Sequence, residues 1–262
     1  MSNRVRVRRD RPSALSWALA LALTMLAVYL ITLSAPSPDD AAEASASSGR
    51  VTRELELAGV EAYFAELGCY DNLTQARIAA AEFAQRGAAG VIREDAGGWH
   101  VIGAGYALEA DARRVAEQLS EREGVEASVF SLSSAPVALR VTATVEDIDA
   151  IAAADSAWSA QLDQIAALAL RVDRGEIGDR SARTLAAVAR SELEAAREAL
   201  DGIEGAKDDA VCAMLSSLLS RLASALDGVA TGGETGAALS GRLRSCHADA
   251  LLRRAAMLDA LR

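Results

Sequence analysis

The chain has 262 residues, of which 51% are hydrophobic and 24% charged, so it holds enough apolar material for one or two cored domains. That composition excludes a chain disordered throughout, and a formal net charge of −10 repels nucleic-acid phosphates and argues against a nucleic-acid partner. Aromatic residues are only 4%, and Ala and Leu carry most of the apolar content, which favours helices.

Charge is unevenly spread from the start. Arg4, Arg6, Arg8, Arg9 and Arg11 face a single acid, Asp10, within residues 1–12. From Ser13 to Ser34 (SALSWALALALTMLAVYLITLS) there is no ionisable group. At about 1.5 Å per residue this run spans roughly 33 Å, the thickness of a bilayer's hydrocarbon core. Trp17 and Tyr29 lie towards its ends, where amphipathic rings favour the interface. A cleaved signal peptide has a shorter apolar stretch, and Pro36 directly after Ser34-Ala35 is a poor residue beyond a scissile bond. The reading is a transmembrane helix over 13–35. Arginines before the span and Asp39, Asp40 and Glu43 after it leave the basic tail cytoplasmic and the bulk of the chain extracytoplasmic, in a single-pass cell-membrane protein.

Ala35 to Gly49 (APSPDDAAEASASSG) lacks any large apolar residue and cannot bury enough surface to offset ordering. Residues 36–58 are expected to be a flexible tether.

Between 59 and 133 the pattern changes. Glu61–Leu67 reads as a strand. Leu73–Arg86 places Leu73, Ile78 or Ala79, and Phe83 on a helical face that Gly87 stops. Ala88–Glu94 and Trp99–Gly103 read as strands joined by the Gly97-Gly98 hairpin signal. Ala110–Arg122 is a second helix stopped by Gly124, and Glu126–Leu132 closes as an alternating strand. The halves match: Tyr70 precedes Ala76-Arg77 as Tyr106 precedes Ala112-Arg113. Such a βαββαβ order predicts a four-stranded antiparallel sheet with both helices on one face. The other face is then open and is the candidate binding surface. RNA-recognition modules share this order, but the basic, aromatic-interleaved strands they use are missing here.

Four segments together carry a resemblance: YFAELGCY (Tyr63–Tyr70), the ARIAAAEFAQRG helix, WHVIGAGY (Trp99–Tyr106) and EADARRVAEQL (Glu109–Leu119). In that order and spacing, over about 75 residues, the stretch resembles the SPOR (sporulation-related repeat) domain of bacterial envelope proteins. The resemblance implies binding of septal peptidoglycan, as glycan strands denuded of stem peptides, in cell division or sporulation. The glycan-binding positions it implies are Phe64, Glu66, Cys69 and Trp99. Glu66 stands where the family often has Gln and loses the amide donor. Cys69 stands where Ser is common and is a weak hydrogen-bonding group.

From Val145 onward apolar residues recur at three- and four-residue steps, with a capping-box-like Thr144/Asp147 at the start. Breaks at Gly175 and Gly178, at Gly202 and Gly205, and at Gly232-Gly233 divide residues 143–262 into four helices, expected as a bundle. Such a bundle is a self-association or protein-partner surface, or a spacer. The fold class expected is thus α+β: a single transmembrane helix, a small SPOR-like (RNP-like) domain, and a C-terminal α-helical bundle.

Catalytic material is sparse. The two histidines, His100 and His247, lie far apart, and Cys69, Cys212 and Cys246 have no metal spacing. No nucleophile elbow or phosphate loop is visible. The expectation is a non-enzymatic binder without metal or cofactor, with a membrane-anchored scaffold recruiting a protein partner as the alternative.

Overall fold

The computed structural model describes residues 49–262. The expected tail (1–12), transmembrane helix (13–35) and most of the tether lie outside the described residues. The fold is mixed α+β, with six helices and two small antiparallel sheets among the described residues.

The strands are β1 (Val51–Leu57), β2 (Val60–Tyr70), β3 (Val91–Asp95), β4 (Gly98–Tyr106), β5 (Ser128–Ser134) and β6 (Val137–Ala143). β2 to β5 form a four-stranded sheet in the order β3-β4-β2-β5, with all pairs antiparallel. Helices α1 (Leu73–Gln85) and α2 (Glu109–Glu123) connect these strands. Asn72 starts α1 by accepting the Gln75 N–H at 2.9 Å, and Gly124, at φ 64°, ends α2 in a conformation that favours glycine.

β1 and β6 change the picture of the tether. Residues 51–57 are a strand, paired with 137–143 from Val51↔Ala143 to Leu57↔Val137. They are not the flexible end of a linker running to residue 58. The same two chain segments continue as the β2–β5 pair, Val60↔Ser134 onward. The result is one two-stranded ribbon bent at Ala58-Gly59 and Ala135-Pro136. A side chain at Gly59 would place its Cβ 2.6 Å from the Ser134 carbonyl oxygen, so the bend needs glycine there. The pairing joins residues 80 or more positions apart, which no local pattern announces.

Four long helices complete the chain: α3 (Val145–Asp173), α4 (Asp179–Asp201), α5 (Ala210–Thr231) and α6 (Gly236–Ala260). Thr144 caps α3 through the Asp147 N–H at 3.2 Å, and Asp209 caps α5 through the Cys212 N–H at 2.9 Å. α3 packs against α4 and α6, and α5 against the same two. α5 is long and apolar enough to cross a membrane, but its Leu215, Leu219, Leu222 and Leu226 are buried against the other helices.

The two faces of the four-stranded sheet are both covered. Leu67 and Val101 point to one face, against Ala76 and Ala80 of α1 and with Trp99, Phe83 and Leu119 beside them. Phe64 and Ile102 point to the other, fully buried in one core cluster with Leu243 and Leu251 of α6. Leu251 approaches to 3.2 Å of where a Cβ on Gly105 would lie, next to the Phe64 ring. The sheet face expected to be open therefore carries α6 across its centre. Burying the Phe64 side chain alone contributes about 1.5–3 kcal/mol, which an exposed ligand platform would forgo.

Arg254 of α6 locks this arrangement. It is 1% exposed, with Nη2 2.5 Å from Asp155 Oδ1 of α3 and 3.1 Å from the Ala58 carbonyl oxygen at the ribbon bend. Its guanidinium lies 5.3 Å from the centre of the Trp158 ring. Arg254→Leu is expected to lower unfolding free energy by about 3 kcal/mol, because Asp155 is left as an uncompensated charge. Urea unfolding of residues 50–262 measures this, and Arg254→Leu combined with Asp155→Leu should recover part of the loss.

Candidate functional site

Past the edge of α6, the same sheet face ends in polar residues. Glu66 pairs with Ile102 across β2–β4, and Cys69 with His100, so β2 holds one residue more than β4 over this interval. Simple alternation would send Glu66 and Cys69 to opposite faces. The bulge at Gly68, with φ 150°, returns Cys69 to the face of Glu66. Arg93 of β3 pairs with His100, and Ser128 of β5 with Glu66, which completes one patch across all four strands.

His100 is the hub of that patch. Its Nδ1 lies 2.9 Å from Glu66 Oε1, a charge contact more than an aligned hydrogen bond, and its Nε2 lies 2.8 Å from Asp95 Oδ1. Asp95 sits on the β3–β4 hairpin, where Oδ1 also accepts the Gly97 N–H at 2.7 Å and Oδ2 faces Arg93 Nη2 at 2.7 Å. The Cys69 thiol donates to the Gly97 carbonyl at 3.4 Å and stands 3.7 Å from His100 Nε2. The Arg93 guanidinium lies 3.9 Å from the centre of the Phe130 ring, which in turn stacks on Phe64 at 5.9 Å. This cation–aromatic stack separates the apolar, α6-covered centre from the polar end.

Electrostatics tighten the cluster. Asp95 is held down to about 2, first by the Gly97 N–H and next by His100 and Arg93. His100 is raised above the ordinary imidazole value, chiefly by Glu66 and further by Asp95, against the opposing effect of burial. The ring therefore favours the imidazolium, which matches carboxylates at both nitrogens. Both ring nitrogens face carboxylates, so neither is free to take the Cys69 proton.

The four residues singled out from the sequence divide into three environments. Glu66 and Cys69 meet in the polar patch. Phe64 shares their face but lies in the core under α6. Trp99 points to the opposite face, half-buried beside Leu67, Val101 and α1. His100, Asp95 and Arg93 were not legible as site residues. The one available signal was the DAGG hairpin at 95–98, in which a turn-forming Asp stands five residues before His100. Among the described residues no group of three or more His, Cys, Asp or Glu is arranged to hold a metal ion. The other cysteines lie in the helical layer, where burial pushes the thiols of Cys212 and Cys246 up to about 11.

No family model, curated protein or solved structure matches this chain.

Two expected outcomes test the cluster. The raised His100 makes its ion pairs fully present below the ordinary imidazole value and lost as pH rises through the higher folded-state value. Imidazole titration by NMR should show His100 losing its proton later than a free histidine, and Glu66→Gln should bring that point down. Thiol labelling of the native protein should modify Cys69, which is exposed, and should reach Cys212 and Cys246 only on unfolding. Equal labelling of all three in the native state would contradict the packing described.

Proposed function

We propose that the chain is a bacterial cell-envelope protein that binds denuded peptidoglycan glycan strands at the polar end of its sheet, in division or sporulation. In this reading residues 13–35 anchor it in the membrane, residues 59–133 act as a SPOR-like module, and the C-terminal helices form a bundle. The observation that carries the reading is the convergence of Glu66 and Cys69 with His100, Asp95 and Arg93 on one polar patch, which reaches the surface at Asp95 and Cys69. Sugar hydroxyls are donors and acceptors without charge. Carboxylate oxygens of Glu66 and Asp95 suit them as acceptors, and the exposed Ser128 hydroxyl can serve as either. Because α6 crosses the centre of the face, the glycan footprint is confined to the end of the sheet. A binder fits the cluster better than a thiol enzyme does, since both ring nitrogens of His100 are engaged by carboxylates.

The coverage by α6 also favours a second reading, a membrane-anchored scaffold that recruits a protein partner through its helices. Leu170 of α3 and Leu185 and Val188 of α4 are exposed at 48%, 41% and 50%, more than large apolar side chains in a closed helical layer need be.

Co-sedimentation of residues 36–262 with intact and amidase-stripped sacculi separates the two. Binding should rise on stripped sacculi and fall about tenfold in Glu66→Ala and in Arg93→Ala. Cys69→Ser should keep it, because a hydroxyl replaces a weak donor. Trp99→Ala should act on stability, since that ring packs beneath α1. Sedimentation with neither preparation would remove the glycan reading and leave the scaffold.

A further inference from the structure

On the opposite face of the sheet, between α1 and α2, lies a cavity of about 320 Å³ that the glycan reading does not use. Its floor is made by Ala65, Gly103 and Ala104, three small residues in a row across the central strands. They adjoin the irregular pairing of Ala65↔Ala104 and Glu66↔Ile102, where β4 carries an extra residue. Leu67 lies over Gly103, 3.0 Å from where a Cβ there would stand, and packs in one cluster with Phe83 and Leu119, and the slot continues beside them over Ala65 and Ala104.

The mouth has a different character. Arg86 at the end of α1 pairs with Glu123 at the end of α2. Arg244 of α6 pairs with Asp173 of α3 and donates to the Gly87 carbonyl at 2.5 Å. Tyr106 belongs to the same lining, and burial raises its phenol above the ordinary value. Two guanidiniums, each paired with a carboxylate, and a phenol thus line an otherwise apolar slot. Glu123 and Arg86 are both about half exposed, so the carboxylate that now holds Arg86 can swing to solvent.

We infer that this cavity binds a single-chain fatty acid, with the hydrocarbon tail over Ala65 and Ala104 beside Leu67 and the carboxylate between Arg86, Arg244 and Tyr106. The head group takes the place of Glu123 on Arg86 and accepts the Tyr106 hydroxyl. The tail replaces solvent against Leu67, Phe83 and Leu119, where apolar burial is the driving term. A carboxylate head exchanges one for one with Glu123 on Arg86, whereas an ammonium head has to share Glu123 with Arg86 and binds more weakly.

The unit Arg50–Arg262 is compact and has its own core, so it is the material for the test. Titration calorimetry with laurate below its micelle concentration should give saturable binding of one molecule per chain. Dodecyltrimethylammonium should bind at least tenfold more weakly. Ala104→Leu, which raises a side chain from the floor, should weaken laurate at least tenfold while the thermal midpoint holds or rises. Tyr106→Phe should weaken it by about tenfold. Should Ala104→Leu fail to fold, Val115→Phe fills the same slot from α2 and is read in the same way. Absence of saturable laurate binding, equal binding of the ammonium amphiphile, or unchanged affinity in the folded filling variant would each overturn the inference.

Discussion

A buried guanidinium holds the two halves of this protein together. Removing Arg254 from water is costly, by several kcal/mol for an ion in a protein interior. Asp155, the Ala58 carbonyl and the Trp158 ring offset that cost only if α3, α6 and the ribbon bend meet in one arrangement. Apolar packing alone would tolerate sliding of α6 over the sheet, whereas three directional partners do not. The C-terminal end of the chain adds to this: Ser134 Oγ donates to Asp259 at 2.7 Å, and Arg262 donates to the Ala135 carbonyl at 2.5 Å. Both contacts fall at the same bend.

With α6 fixed in this way, one face of the sheet divides into two regions. Where α6 lies, the face is a core surface, and Phe64 belongs to it. Where α6 has passed, the face carries charges in matched pairs: Glu66 and Asp95 against His100 and Arg93. Matching matters, because these groups are only partly solvated and an unpaired charge among them would be expensive. The Arg93–Phe130–Phe64 stack marks the boundary between the two regimes. On the reverse face, the small residues that let the helices approach the strands also leave the gap between α1 and α2.

Much of this architecture is readable from local pattern. Helix starts and stops track Thr144, Gly124 and the glycine breaks between the C-terminal helices. These signals act over one or two turns, and the backbone obeys them wherever the helix is packed. The strand run 61–67 and the Gly97-Gly98 hairpin are legible for the same reason. β1 is not, because Val51–Leu57 is a strand only through a partner far along the chain. The patch is half legible. Glu66 and Cys69 stand out, but alternation separates them, and only the bulge at Gly68 reunites them beside His100.

The amino-acid sequence by itself thus determined the types and order of the elements between residues 61 and 132, the C-terminal helices and the acidic, helix-rich character of the chain, because propensity, caps and hydrophobic period are local properties. The tertiary structure alone decided which sheet face is covered, that residues 51–57 pair with 137–143, and that a histidine meets two carboxylates at the end of the sheet. Those features depend on contacts between residues distant in the chain, whose energies are set by burial and geometry that no short stretch of sequence contains.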